Sequence, residues 1–220
     1  MIENDTPAPA EEVIEAVEHL LIKVDSSNRL SELLRFSITE RRPEVLWPVF
    51  LRWWSSCDAT WEWRHLVVSY LENLMGDNDG TDHPATPWMS EGDLEFYRSL
   101  PDEITLYRGC SRKHVKGLAW STDRAAAETF AHGHRGFTVS DPVVAETIFP
   151  KEKVFAVFTS RNENEVVIDY AALGKIKRHK YTPPPAPPKK DGPSLEELIK
   201  EWGLKPVSAE ELEKLRRKDD

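Results

Sequence analysis

Apolar residues recur at three- and four-residue steps through the first part of the chain. Val13, Val17, Leu20, Leu21 and Val24 fall on one face of a helix beginning near Glu11, after a small, polar, proline-bearing stretch over residues 1–10 expected to be disordered. The segment "SSNRLSELLRF" offers Ser or Asn as an N-cap, followed by Leu30, Leu33, Leu34 and Phe36 or Ile38. Pro43 is suited to the first turn of a third helix. The long aromatic segment after it should break or bend near Pro48 and around Ser55–Asp58, and Gly76 should end it. A short helix over about Glu91–Leu100 leads into Pro101.

The period then changes from helical to alternating. "ITLYRG", "GLAWST", "VVAETIF", "KVFAVF" and "EVVIDY" read as strands, with "GKIKRHKYT" as a further one. "DRAAAETFAHG" reads as a helix opened by Ser121, Thr122 or Asp123 and closed by Gly133. Helices first and strands afterwards predict an α+β fold rather than an alternating parallel sheet. The expected organisation is a disordered N-terminus (1–10), a helical lobe (11–101), a mixed-β core (102–181), a stiff proline-rich linker (182–194) and a helical tail (195–220). The tail carries Leu195, Leu198, Ile199 and Trp202 and is expected to dock a partner or the body of the protein.

Composition narrows the classes. The 220 residues suit one domain with appendages or two small ones, and eight Trp with eight Phe supply apolar bulk for a core. A formal charge of −9 argues against a non-specific nucleic-acid binder, whose affinity rests on cations. Cys57 and Cys110 are the only cysteines, too few for a disulfide framework. With no signal-peptide pattern and no membrane-length apolar run, a soluble cytoplasmic protein is expected, in the host cytoplasm if the chain is viral.

The chemistry concentrates between Ile104 and Asp169. "RNENEVVID" sets Glu163 and Glu165 two positions apart at the start of a β-branched run, where a strand would present both on one face. Like charges held so close perturb each other's titration. Arg108 in "LYRG" and Ser121–Thr122 in "WST" precede them.

This ordered set resembles the arginine–serine–glutamate class of mono-ADP-ribosyltransferases, which includes arginine-modifying toxins and phage enzymes. The resemblance implies an ADP-ribosyltransferase-like core and a transferase with NAD as substrate, no metal, and a protein arginine as acceptor. It implies that Glu165 accepts a hydrogen bond from a ribose hydroxyl and stabilises an oxocarbenium-like state. Glu163 would orient the acceptor guanidinium and help remove its proton, because an arginine is protonated at neutral pH. Arg108 would hold NAD by a phosphate or ribose, or form a surface salt bridge. Ser121 would hydrogen-bond Glu165, and Thr122 would bridge strands, both being equally suited to helix capping. Gly109 would admit the cofactor near the backbone or mark a turn, and Phe130 would stack on nicotinamide or fill core. Asp123 stands where the family commonly has a second serine. The alternatives are a binding or virion-associated module on the same fold, or an NAD glycohydrolase that uses Glu165 alone.

Other constellations are weaker. Cys110, His114, His132 and His134 lack the paired spacing of a structural zinc site. "DNDGTD" lacks the closing glutamate of a calcium loop. Trp47, Trp53, Trp54, Trp61 and Trp63 are expected to fill the core of the helical lobe, with a protein interface as the other reading.

Overall fold

The computed structural model describes residues 8–58, 60–76, 83–133, 138–161 and 163–183, together with residues 201 and 203. Met1–Pro183 form one compact unit and Pro184–Asp220 a second. Residues 1–7, the linker and nearly all of the tail, including Leu195, Leu198, Ile199 and Trp202, lie outside the described residues.

Among the described residues, six α-helices and six strands make a mixed α+β unit, and every strand pairing is antiparallel. The helices are α1 (Ala10–Leu21), α2 (Arg29–Thr39), α3 (Pro43–Trp53), α4 (Arg64–Met75), α5 (Glu91–Ser99) and α6 (Arg124–His132). The strands are β1 (Glu103–Ser111), β2 (Ala119–Ser121), β3 (Pro142–Pro150), β4 (Val154–Phe158), β5 (Glu165–Ile168) and β6 (Lys177–Lys180). They form one sheet in the order β4-β5-β2-β1-β3-β6.

Pro43 opens α3, as its fixed φ favours. Of the break or bend expected near Pro48, a break does not occur, because α3 runs on to Trp53. A proline at this position leaves only the Glu44 carbonyl without its helical donor, while Val45, Leu46, Trp47, Val49 and Phe50 stay buried. The chain does break after Trp53, through a 3-10 turn over Trp54–Ser56, next to the second expected break around Ser55–Asp58. That break carries the chain towards the sheet.

Alternation divides the sheet into two faces. Leu21, Leu30, Trp47, Phe50 and Leu71 from the helices share one core with Phe155, Phe158 and Val167 of the sheet. Leu106, Trp120, Val157, Val166 and Ile168 point the other way, into a core closed by Leu100 and by the partly buried Phe96 and Tyr97 of α5. Helix α6 lies across β1 on the face opposite that second core, with Ala127 and Ala131 packed beside Tyr107 and Val144. The face that the helices only partly cover is where the motif residues meet.

Candidate functional site

Strand register brings together residues far apart in sequence. Tyr107 stands opposite Ser121, Ser121 opposite Glu165, and Glu165 opposite Phe158. Directly opposed residues share a face, so Tyr107, Ser121 and Glu165 form a row across β1, β2 and β5. The row borders a cavity of about 270 Å³. Arg108, Gly109, Ser121, Phe130, Glu163 and Glu165 all line it, together with Trp54, Asp58 and Arg161. Thr122 is the one sequence-predicted site residue outside that lining.

Glu165 is the first residue of β5 and half-buried. Its Oε1 accepts a hydrogen bond from Trp54 Nε1 at 2.8 Å. Burial pushes its carboxyl up to about 7, and the neighbouring Glu163 charge pushes the same way; the Trp54 hydrogen bond and the Arg161 and Arg108 cations oppose the rise. Near neutral pH this group therefore exchanges a proton readily.

Glu163 does not lie on the strand as its spacing suggests. Asn164 adopts a left-handed conformation (φ 44°), so the chain turns between the two glutamates and β5 starts only at Glu165. Alternation along a strand therefore does not explain why both carboxylates meet the cavity; the turn does. Asparagine is among the few non-glycine residues that take this conformation at modest cost.

Ser121 also departs from its expected contact. Its Oγ donates to the backbone carbonyl of Glu163 at 2.5 Å and accepts from Asp123 N at 2.9 Å. It fixes the turn that carries Glu163 and leaves the Glu165 carboxylate to Trp54. Thr122 N–H donates to the Asn164 carbonyl at 3.2 Å, so Thr122 ties the same turn through its backbone. Asp123 caps α6, its Oδ1 accepting from Ala125 N at 2.8 Å.

Arg108 donates from Nε to the His114 carbonyl at 3.2 Å and from Nη1 to the Ala119 carbonyl. These bonds aim the guanidinium along the β1–β2 connection and leave further N–H donors for a ligand. Gly117 makes room for it, because a Cβ there would lie 2.4 Å from the Arg108 guanidinium. Gly109 serves packing: a Cβ would come within 1.7 Å of the Ala127 carbonyl of α6. Phe130 lies half-buried on α6 at the cavity wall.

Trp54 is the site residue that the motif pattern misses, and Arg161 is a second. Both lie outside the three motifs. The available signal for Trp54 was the break in the aromatic helix at Ser55–Asp58, which delivers its indole to the sheet. Cys57 and Cys110 are buried, and burial pushes the Cys57 thiol up to about 12 and raises that of Cys110. Such thiols are poor nucleophiles near neutral pH.

Among the described residues no group of three or more His, Cys, Asp or Glu side chains is placed to hold a metal, and His134 lies outside them. No helix among them is long and apolar enough to cross a membrane. No family model matches the chain, and neither a curated protein nor a solved structure matches it significantly.

Proposed function

We propose that this protein is an NAD-dependent mono-ADP-ribosyltransferase that modifies arginine on a protein. The observation that carries this reading is the convergence of Arg108, Ser121, Glu163 and Glu165 around one cavity, although up to 57 positions separate them in sequence.

The donor set suits part of a dinucleotide. A cavity of about 270 Å³ lies just below the range of ligand pockets, about 300 to 1,000 Å³, and is suited to a nicotinamide ribose rather than all of NAD. Arg108 retains donors for a phosphate or ribose oxygen. Phe130 offers an aromatic wall. When bound, NAD supplies a ribose whose bond to nicotinamide breaks with the electron pair leaving on the ring nitrogen.

Glu165, as the carboxylate, accepts from a ribose hydroxyl and stabilises the positive charge that grows on the sugar. Glu163 binds the incoming guanidinium and takes its proton as the new carbon–nitrogen bond forms. The side chain of Ser121 holds Glu163 in place through the turn backbone, and Trp54 restrains Glu165. Transfer of label from NAD to a small guanidine such as agmatine tests the proposal. NAD binding without turnover would favour a binding module, and turnover without transfer would favour a glycohydrolase.

A further inference from the structure

Glu165 reaches the cavity from the sheet, but what holds its carboxylate comes from the helices. Trp54 is 2% exposed, fixed against Phe50 with ring centroids 5.3 Å apart. Its indole is thus locked by core packing and has little freedom to follow the carboxylate. The titratable and charged groups that line the cavity with Glu165 are Tyr107 and Arg108 from β1, Cys57 and Asp58 from the segment after α3, and Arg161 and Glu163 from the turn before β5. Among the described residues, Trp54 Nε1 is the one donor within hydrogen-bond distance of the Glu165 carboxylate.

We infer that Trp54 is a positioning residue for Glu165: its immobile indole N–H holds Oε1 and leaves Oε2 as the oxygen that meets a ligand. A single fixed donor selects one rotamer and favours the charged carboxylate, which is the form that can accept from a hydroxyl. The helical segment thereby contributes directly to the working state of a sheet residue. The assignment of Trp54 rests on geometry alone; its bearing on catalysis rests on the transferase reading above.

The neighbouring tryptophan supplies an internal control. Trp53 Nε1 is buried with no hydrogen-bond partner among the described residues, so Trp53→Phe removes an indole N–H that serves no carboxylate. Trp54→Phe removes the donor to Glu165 and keeps most of the aromatic bulk.

The test is the titration of the Glu165 side-chain carboxyl carbon by NMR in the protein without NAD. In Trp54→Phe the midpoint should rise by about one pH unit, the size expected when a hydrogen bond to a charged group is lost. In Trp53→Phe it should stay where it is. In the unsubstituted protein the Trp54 indole proton should titrate with the same midpoint as Glu165, and should stop titrating in Glu165→Gln. This last measurement decides the matter even if Trp54→Phe fails to fold. An unmoved midpoint in folded Trp54→Phe, an equal shift in both tryptophan variants, or an indole resonance blind to pH would overturn the inference. Because no turnover is read, absence of transferase activity would remove the reading of the preceding subsection and leave this result to stand or fall by itself.

Discussion

Ser121 and Glu165 are opposed in adjacent antiparallel strands, yet the Ser121 hydroxyl donates past Glu165 to the backbone carbonyl of Glu163. The serine thus acts on the turn between the two glutamates. That turn depends on Asn164 at φ 44°.

Replacing Asn164 tests the turn. A β-branched residue strains in the left-handed region by about 1–2 kcal/mol, whereas glycine enters it freely. Asn164→Val should lower unfolding stability by about that amount, and Asn164→Gly should stay within a few tenths. Urea denaturation of both variants measures this; equal stability would show that the turn does not need the conformation.

Gly109 gives a packing prediction. A methyl group there meets the α6 backbone at 1.7 Å, so α6 must move off β1. Gly109→Ala should destabilise by about 2–3 kcal/mol, the upper part of the usual range for overpacking. Gly174→Ala, with nothing within 4 Å of its added carbon, is the neutral control. Thermal unfolding that ranks the two alike would contradict this use of Gly109.

His83 contributes to the pH dependence of stability near neutrality. Its Nδ1 accepts from Ala85 N at 3.1 Å, so Nε2 carries the hydrogen and donates to the Val154 carbonyl at 3.0 Å. Burial lowers its pKa below the ordinary 6.5, holding the ring neutral when folded. The unfolded chain then takes up a proton that the folded one refuses. The His83 contribution is full above about pH 6.5 and is lost as pH drops below that value, by up to about 1.4 kcal/mol per pH unit, while the raised Glu165 carboxyl acts in the opposite sense over the same range. Comparing denaturation curves of the protein and His83→Gln between pH 7.5 and about 5.5 should show that the variant loses less stability on acidification than its parent. Identical slopes would assign the pH dependence elsewhere.

Local pattern made the α+β class and the approximate place of most α-helices and strands legible, because hydrophobic periodicity is a short-range property. Pro48 does not break its helix, because the residues flanking it are held by burial. The sheet order was not legible, since the placing of β5 between β4 and β2 depends on long-range register. For the site, the motif residues were readable but their partners were not. Trp54 is bound to Glu165 across 111 positions of sequence, and Gly109 meets a helix that begins fifteen residues later. The left-handed Asn164 hid inside what looked like plain strand alternation.

The two glutamates are expected to separate functionally. Glu163 faces the acceptor in the proposed reaction, whereas bond cleavage in NAD needs Glu165. Glu163→Gln should abolish label transfer to agmatine and keep much of the slow release of nicotinamide into water. Intact labelling of agmatine would reject an arginine acceptor, and a joint loss would show that the carboxylates act as one coupled unit.

The central claim is tested most directly by incubating the purified protein and its Glu165→Gln variant with labelled NAD and agmatine. The isosteric amide keeps a carbonyl oxygen for Trp54 Nε1, so the variant should fold as the parent does, which circular dichroism can check. The protein should form ADP-ribosyl-agmatine, and Glu165→Gln should do so about 10²–10³-fold more slowly, the usual loss when one preorganised electrostatic group is removed. A protein that transfers no label, or a variant as fast as its parent, would contradict the account.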